Sequence, residues 1–257
     1  MLSVVIPVKD DAPALRRCLE ALSRQTRHPD EIVVVDNAST DASADVAAQG
    51  GARVIPCATP GIAAASACGY NAARGDVILR LDADCIPAPD WIETVVAAFV
   101  RRPTASVVTG GAVFTDGPPR LRRPLAALYL GAYVTVGFVT LGHAPLFGSN
   151  LAFTRRAWLR VRDHVHRSDP ELHDDLDLSF HLGEYHRVRL IPARTMGISM
   201  RPFDDPQAFA RRIARGFRTV ITHWPYDLPP LRWDRRLLRR TLAAARRRDR
   251  PASRGHA

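Results

Sequence analysis

Asp82 and Asp84 give the clearest chemical signal in the chain. They close the stretch Asp76–Cys85 (DVILRLDADC), directly after the apolar run Val77–Leu81. A run of that length, bounded by Gly75-Asp76 and by acids, reads as a short buried strand. Side chains two apart on an extended segment share a face, so the two carboxylates are expected to project together. Like charges that close are stabilised by a cation between them, and an all-oxygen pair suits Mg²⁺ or Mn²⁺ better than zinc. The competing reading is a solvated Asp-rich turn.

Other acids fall where neighbouring strands should end. Lys9-Asp10 follows the apolar run Leu2–Val8, and Asp36 closes Glu31–Asp36 (EIVVVD). Between them, Ala12–Gln25 carries apolar residues at the three-to-four spacing of an amphipathic helix. Asn37–Asp41 reads as a turn feeding a helix capped near Thr40, Ala52–Pro56 as a third strand, and Gly61–Arg74 as an Ala-rich helix. This alternation predicts an α/β fold: a mostly parallel, Rossmann-like sheet flanked by helices on both faces. Ligands of such sheets bind beyond the carboxyl ends of the strands, where these acids should gather. Trp91–Val100 continues as a helix and Ala105–Phe114 as a strand region.

Leu125–Gly142 holds 18 residues without a charge, long enough to suggest a membrane span. A span there would part Asp82 and Asp84 from the acids at Asp174-Asp175, so a helix packed on the sheet is expected, with one face at a membrane surface or lining an acceptor groove. Phe147–Phe153 reads as a strand, Thr154–Val165 as a helix, and His173–Leu182 (HDDLDLSFHL) as a helix beginning in acids. Acids at a helix start are by themselves caps or dipole partners. Gln207–Thr222 is a further helix. After Pro225 the folded domain is expected to end, so the chain divides into a single domain over 1–225, in halves 1–115 and 116–225, and a Pro/Arg-rich extension over 226–257. Within that extension, Arg232–Arg248 reads as an amphipathic helix and Arg250–Ala257 as disordered.

Composition agrees with an ordinary globular protein, at 46% hydrophobic and 24% charged over 257 residues. The net charge of +10 is unevenly placed: ten arginines after Leu231 face only Asp234 and Asp249, so +8 belongs to the tail. That tail is either a solvated end or a helix for an anionic membrane surface, and its deletion should leave the fold intact. Nucleic acid is disfavoured as a partner, since no base-stacking aromatics accompany the arginines. Cys18, Cys57, Cys68 and Cys85 lack metal-finger spacing and read as buried thiols of a reducing compartment. Leu2–Val8 is already a strand rather than a leader, which points to the cytoplasm or the inner face of its membrane. His143, His164, His166, His173 and His181 include no helical pair with a Glu between, and read as surface or internally satisfied residues.

Taken in order and spacing, SVVIPVKD, EIVVVDNASTD, AARGD, LRLDADC, FGSNLAFTRRAW and HDDLDLSFHL resemble a family 2 glycosyltransferase of the GT-A fold, over Leu2 to Met200. The resemblance implies inverting transfer of a sugar from a UDP-, GDP- or dTDP-sugar, with a lipid-linked molecule among the acceptors to consider. It places the first half of the domain on the nucleotide-sugar and the second on the acceptor. Asp36 would contact the nucleoside base, with Pro7 and Val8 beneath it and Asp10 alongside. Asp84 would hold Mg²⁺ or Mn²⁺, Asp82 would position ribose or metal, and Asp175 would be the general base. Gly148-Ser149-Asn150 and Asp174 would face donor sugar and acceptor.

Three departures stand out. Ser66-Ala67 replaces an expected Arg-Asn pair, so a diphosphate contact is missing or comes from Arg80 or Arg201. Asp174 stands where the longer Glu is usual. Ser199-Met200-Arg201 stands where a metal-reaching His is usual, which leaves His223 as its candidate substitute. The departures keep open a silent nucleotide-sugar-binding or membrane-docking module. A nucleotidyltransferase of related fold is a further alternative, although Val8-Lys9-Asp10-Asp11 is not its Gly-rich loop.

Overall fold

The computed structural model describes residues 1–248, so the expectation for Arg250–Ala257 lies outside the described residues. Among the described residues ten strands form: β1 (Leu2–Val8), β2 (Glu31–Asp36), β3 (Arg53–Pro56), β4 (Val77–Arg80), β5 (Ile86–Pro87), β6 (Val107–Gly110), β7 (Val113–Phe114), β8 (Leu151–Thr154), β9 (Val188–Ile191) and β10 (Met196–Ile198). The helices are α1 (Ala12–Ser23), α2 (Ser43–Gln49), α3 (Ile62–Ala72), α4 (Trp91–Val100), α5 (Arg122–Leu141), α6 (Arg155–Val161), α7 (Asp174–Tyr185), α8 (Pro206–Thr222) and α9 (Pro229–Arg248).

Seven strands make one sheet in the order β3-β2-β1-β4-β8-β6-β9. β1 to β4 are mutually parallel, and β8 runs antiparallel to both β4 and β6. The alternation of side chains along a strand builds two cores. Val4, Ile6, Val34 and Leu79 pack on one face with Leu15, Cys18 and Trp91; Val5, Val33, Val35 and Ile78 pack on the other with Tyr70, Trp158 and Leu178. Helix α3 lies close because Gly69 permits it: a Cβ there would come within 2.3 Å of Val5 Cγ1. The small sheet β5-β10-β7 stands beside the main one.

Several local expectations are corrected. β4 stops at Arg80, and Asp82-Ala83-Asp84 lies in a turn closed by the Cys85 N–H donating to the Asp82 carbonyl at 3.0 Å. The strand expected over Phe147–Phe153 begins instead as a 3₁₀ turn, Gly148–Asn150. Ala105–Phe114 splits after Gly110 into β6 and β7, and α2 starts at Ser43 rather than near Thr40. The short stretches that become β9 and β10, four and three residues long, are not anticipated in the sequence reading. Nor does the structure end at Pro225. α9 docks on α5 and α7: Arg232, 1% exposed, pairs with Asp227 and Glu184 and donates to the carbonyls of Leu141 and Phe180. A deletion from Arg232 onward would therefore strip partners from two enclosed carboxylates.

Candidate active site

Three parallel strands deliver acids to one edge of the sheet. Val8 and Asp36 are register partners at the ends of β1 and β2, so Pro7, Val8 and Asp36 form one floor. Asp36 Oδ1 accepts from the Ser39 N–H at 3.2 Å. Asp10 adopts φ 50° and accepts from the Thr40 N–H at 2.6 Å and its hydroxyl at 3.0 Å, which ties the β1 loop to the β2 loop. Asn37, which the sequence marks only as a turn residue, is buried. Its amide donates to the carbonyls of Cys57 and Thr59 while its oxygen accepts from the Gly61 N–H.

The centre of the site is Arg80, the last residue of β4. It is 1% exposed and meets three carboxylates: Asp82 at 2.9 Å, Asp174 at 3.1 Å, and Asp175 in a direct ion pair. Its burial opposes its charge, but the surrounding acids outweigh that and hold the guanidinium firmly protonated. Both terminal nitrogens of Arg80 are thus engaged by acids while its Nε has no hydrogen-bond partner among the described residues, a geometry that does not favour it over Arg201 as a diphosphate contact.

Asp174 and Asp175 begin α7, where the helix N-terminus favours negative charge. Asp175 has both oxygens occupied, one by Arg80 and the other by the Gly148 N–H at 2.7 Å. That approach demands glycine, because a Cβ on residue 148 would lie 1.7 Å from Arg80 Nη1 and 2.2 Å from Asp175 Oδ1. Asp174 is less encumbered, holding the Arg80 pair and a backbone hydrogen bond from Asp175. Burial raises its pKa to about 7 against the pull of Arg80, with the Asp175 charge adding to the rise.

Asp82 is held by Arg80 on one oxygen and accepts from the Ser149 hydroxyl at 2.6 Å on the other. Asn150 does not face the site. It is fully buried, accepts from Trp91 Nε1 at 2.9 Å and donates to the Gly111 carbonyl and Thr195 Oγ1. Asp84 Oδ2 accepts from Arg201 at 2.8 Å, and the same guanidinium bonds Asp11 at 2.6 Å. Arg201 therefore does reach the site from the segment where the sequence lacks a His. His223, the expected substitute, meets Asp177 and His181 instead.

The residues around Asp84 fit a hard divalent cation. Ligand atoms of Asp82, Asp84 and Cys85 lie within 4.8 Å of one another. Burial and then the Asp82 charge raise the Asp84 pKa, although Arg201 pulls the other way, so this acid is under-compensated. The Cys85 thiol is pushed far up by burial and is no thiolate ligand, which leaves oxygen donors.

Asp82, Asp174 and Asp175 all open on one cavity of about 380 Å³. Its opposite wall comes from α5 and α8 and includes Tyr129, Tyr133, Arg211, Arg212 and Arg215. Sequence reading passed over these arginines, whose spacing on one helix face was the available signal. Arg212 has no carboxylate within ion-pair distance among the described residues and donates to the Tyr129 hydroxyl at 3.3 Å.

A doubly flanked sheet with acids at a β4 turn and at a facing helix start defines the GT-A class of glycosyltransferase. Glucosyl-3-phosphoglycerate synthase of Mycobacterium tuberculosis, solved with UDP, superposes with a TM-score of 0.60 over 86% of this chain and 79% of its own, at 18% identity. The same protein with Mn²⁺ and UDP-glucose gives 0.59 at 20% identity, over 86% and 78%. Identity that low speaks for the fold alone. The chain belongs to glycosyl transferase family 2, whose sequence model matches residues 3–162.

Among curated relatives, undecaprenyl-phosphate 4-deoxy-4-formamido-L-arabinose transferase of Pseudomonas fluorescens is 39% identical over 106 residues, 37% of this chain and 31% of that protein. Glycosyltransferase AglE of Haloferax volcanii is 31% identical over 122 residues, 44% and 40% of the two chains. The matched stretch thus spans only about a third of such relatives' length.

Proposed function

We propose that this chain moves a sugar from a nucleoside diphosphate to an acceptor hydroxyl in one inverting displacement, and that the acceptor carries a phosphate and a lipid. The observation that carries this reading is the shared cavity: the acids of the β4 turn and of the α7 start open on it from one side, and three arginines face them from the other. Pro7, Val8, Asp10 and Asp36 line the edge suited to a nucleoside, which accords with the UDP bound by the structural neighbours. Asp84, with Asp82 beside it, would hold Mg²⁺ or Mn²⁺; bound there, the cation would spread the charge growing on the departing diphosphate. Arg201, already on Asp84, is placed to swing onto the same diphosphate.

On the attacking side a hydroxyl needs a carboxylate to take its proton. The family resemblance assigns that role to Asp175. With both Asp175 oxygens engaged, the geometry favours Asp174 as the proton acceptor and Asp175 as the group that fixes Arg80 and the Gly148 turn. Arg212 suits the acceptor's phosphate, since a guanidinium fork matches its oxygens, and Arg211 and Arg215, now in exposed pairs with Asp205 and Glu171, stand beside it. The lipid reading draws on the undecaprenyl-phosphate relatives and on where α5 and α8 lead. The helices that wall the cavity also expose Leu128, Val136 and Val139 on α5 and Ile213, Phe217 and Ile221 on α8.

The test is release of nucleoside diphosphate from a panel of nucleotide-sugars with Mn²⁺ and phosphorylated acceptors that carry a free hydroxyl, with polyprenyl phosphate, whose only nucleophile is its phosphate oxygen, as a separate arm. Asp174→Asn and Asp175→Asn are each expected to slow turnover by about 10²–10⁴-fold. If both variants turn over normally while Asp84→Ala is dead, the acceptor phosphate is itself the nucleophile, a reading the three arginines also favour. Full turnover in all three variants would sink the site.

A further inference from the structure

Further along α7 from the acids of the cavity, three histidines surround one carboxylate oxygen. Asp177 and His181 lie one turn apart on α7, His223 caps the end of α8, and His166 comes from the loop after α6. We propose that these four residues form a second metal site, built for a borderline divalent cation with Zn²⁺ foremost, and distinct from the one at Asp84.

The spacing is that of a tetrahedral set. Asp177 Oδ1 is 3.3 Å from His223 Nε2 and 3.6 Å from His181 Nε2, and the two Nε2 atoms are 3.5 Å apart. Zinc bonds of about 2.0–2.1 Å put the edges of a tetrahedron at about 3.4 Å. His166 Nδ1 is hydrogen-bonded to the same oxygen at 2.7 Å and would open by about 0.7 Å to take the fourth corner, and all four ligand atoms lie within 4.8 Å of one another. Three nitrogens and one oxygen are a donor set for zinc rather than for Mg²⁺ or Ca²⁺.

Hydrogen bonding around the cluster aims these atoms inward. The Thr219 carbonyl, 2.8 Å from His223 Nδ1, can only accept, so in the neutral ring Nδ1 carries the hydrogen and the Nε2 lone pair faces Asp177. Two lone-pair groups at 3.3 Å need a cation between them, a metal ion or the proton of an imidazolium, and the experiment below separates the two. The arrangement of a carbonyl behind a ligating imidazole is the usual support for a metal-bound histidine. Asp177 is oriented likewise: its Oδ2 accepts from the His166 backbone N–H at 3.0 Å, which leaves Oδ1 for the cluster. The Phe180 ring stacks on His223 at 4.0 Å and closes the floor. Enclosure is graded, with the Asp177 and His223 side chains 3% and 4% exposed and His166 40%, so a metal would enter past His166. Bound, it would pin α7, α8 and the loop between α6 and α7, the elements that carry Asp174, Asp175 and the arginines of the cavity.

The untagged full chain, stripped with chelator, would be titrated with Co²⁺ and followed by visible absorption. Zn²⁺ would then compete, and bound metal would be counted by mass spectrometry. One tight equivalent with the strong absorption of tetrahedral Co²⁺ is expected, displaced by Zn²⁺ and unchanged in Asp84→Ala. His166→Ala and His181→Ala, both at the more exposed side of the cluster, should weaken binding by about 100-fold or more while retaining the folded circular-dichroism signal. Thermal unfolding should rise with Zn²⁺ in wild type and not in the double variant. Absence of tetrahedral Co²⁺ absorption in a folded chain would mean that a proton, not a metal, sits among these histidines, and would overturn the proposal. So would metal retained by the double histidine variant and lost in Asp84→Ala.

Discussion

At the scale of single residues, Arg80 decides how the acids behave. One buried guanidinium serves three carboxylates, so one acid can rise in pKa while the group as a whole remains compensated. With Asp174 near pH 7, kcat/KM should fall on the acid side of neutrality, and Asp174→Asn should abolish that limb along with most of the activity. If Asp175 is the base, the limb survives in Asp174→Asn. The same shift has a stability consequence. A carboxyl whose folded pKa is raised weakens the fold as pH climbs from about 4 to about 7, because the unfolded chain ionises first. Asp174→Asn cannot ionise, so it should unfold at a higher temperature than wild type at pH 8, by about 2–4 °C per kcal/mol recovered, and match it near pH 4. A thermal-melt series across pH reads this directly.

At the scale of elements, the turn Gly148–Asn150 and helix α9 show how neighbours set the role of a segment. Gly148 lends its N–H to Asp175, Ser149 its hydroxyl to Asp82, and Asn150 turns inward to bind Trp91, so three successive residues serve two carboxylates and the core. Gly148→Ala should displace Arg80 or Asp175 and abolish turnover even if the fold survives. In α9 the charge reads as a tail, yet its first turns are structural: Arg232, Arg235 and Arg239 all reach Glu184. Arg232→Met, which leaves Glu184 and Asp227 without their most buried partner, is expected to cost about 3–5 kcal/mol in urea unfolding. A value near zero would return α9 to the status of a loose extension.

At the scale of the whole molecule, the cavity and the exposed apolar surface share two helices. Ile213, Phe217 and Ile221 recur every four residues on α8, so they form one stripe, and α5 exposes Leu128, Val136 and Val139. On the function proposed above, the lipid of the acceptor would dock on these side chains. Phe217→Glu with Val136→Glu should lower co-sedimentation with anionic vesicles by about tenfold while turnover on a water-soluble acceptor persists. If binding is instead lost only when the α9 arginines are neutralised, the attachment is electrostatic.

Much of this was open to reading in the chain. The alternation of apolar strands and amphipathic helices follows from local periodicity, and it put Asp36, Asp82 and Asp84 at the ends of parallel strands. The strands β9 and β10 were hidden because they are too short to show a period and their pairing energy comes from partners distant in the chain. The sequence by itself determined the fold class, the acids at the sheet edge and the family resemblance, since each rests on short-range pattern. Only the tertiary structure decided that Arg80 binds three acids, that Arg201 rather than His223 reaches Asp84, and that His166, Asp177, His181 and His223 converge. Burial, charge compensation and donor geometry depend on which segments meet, and no local spacing encodes that meeting.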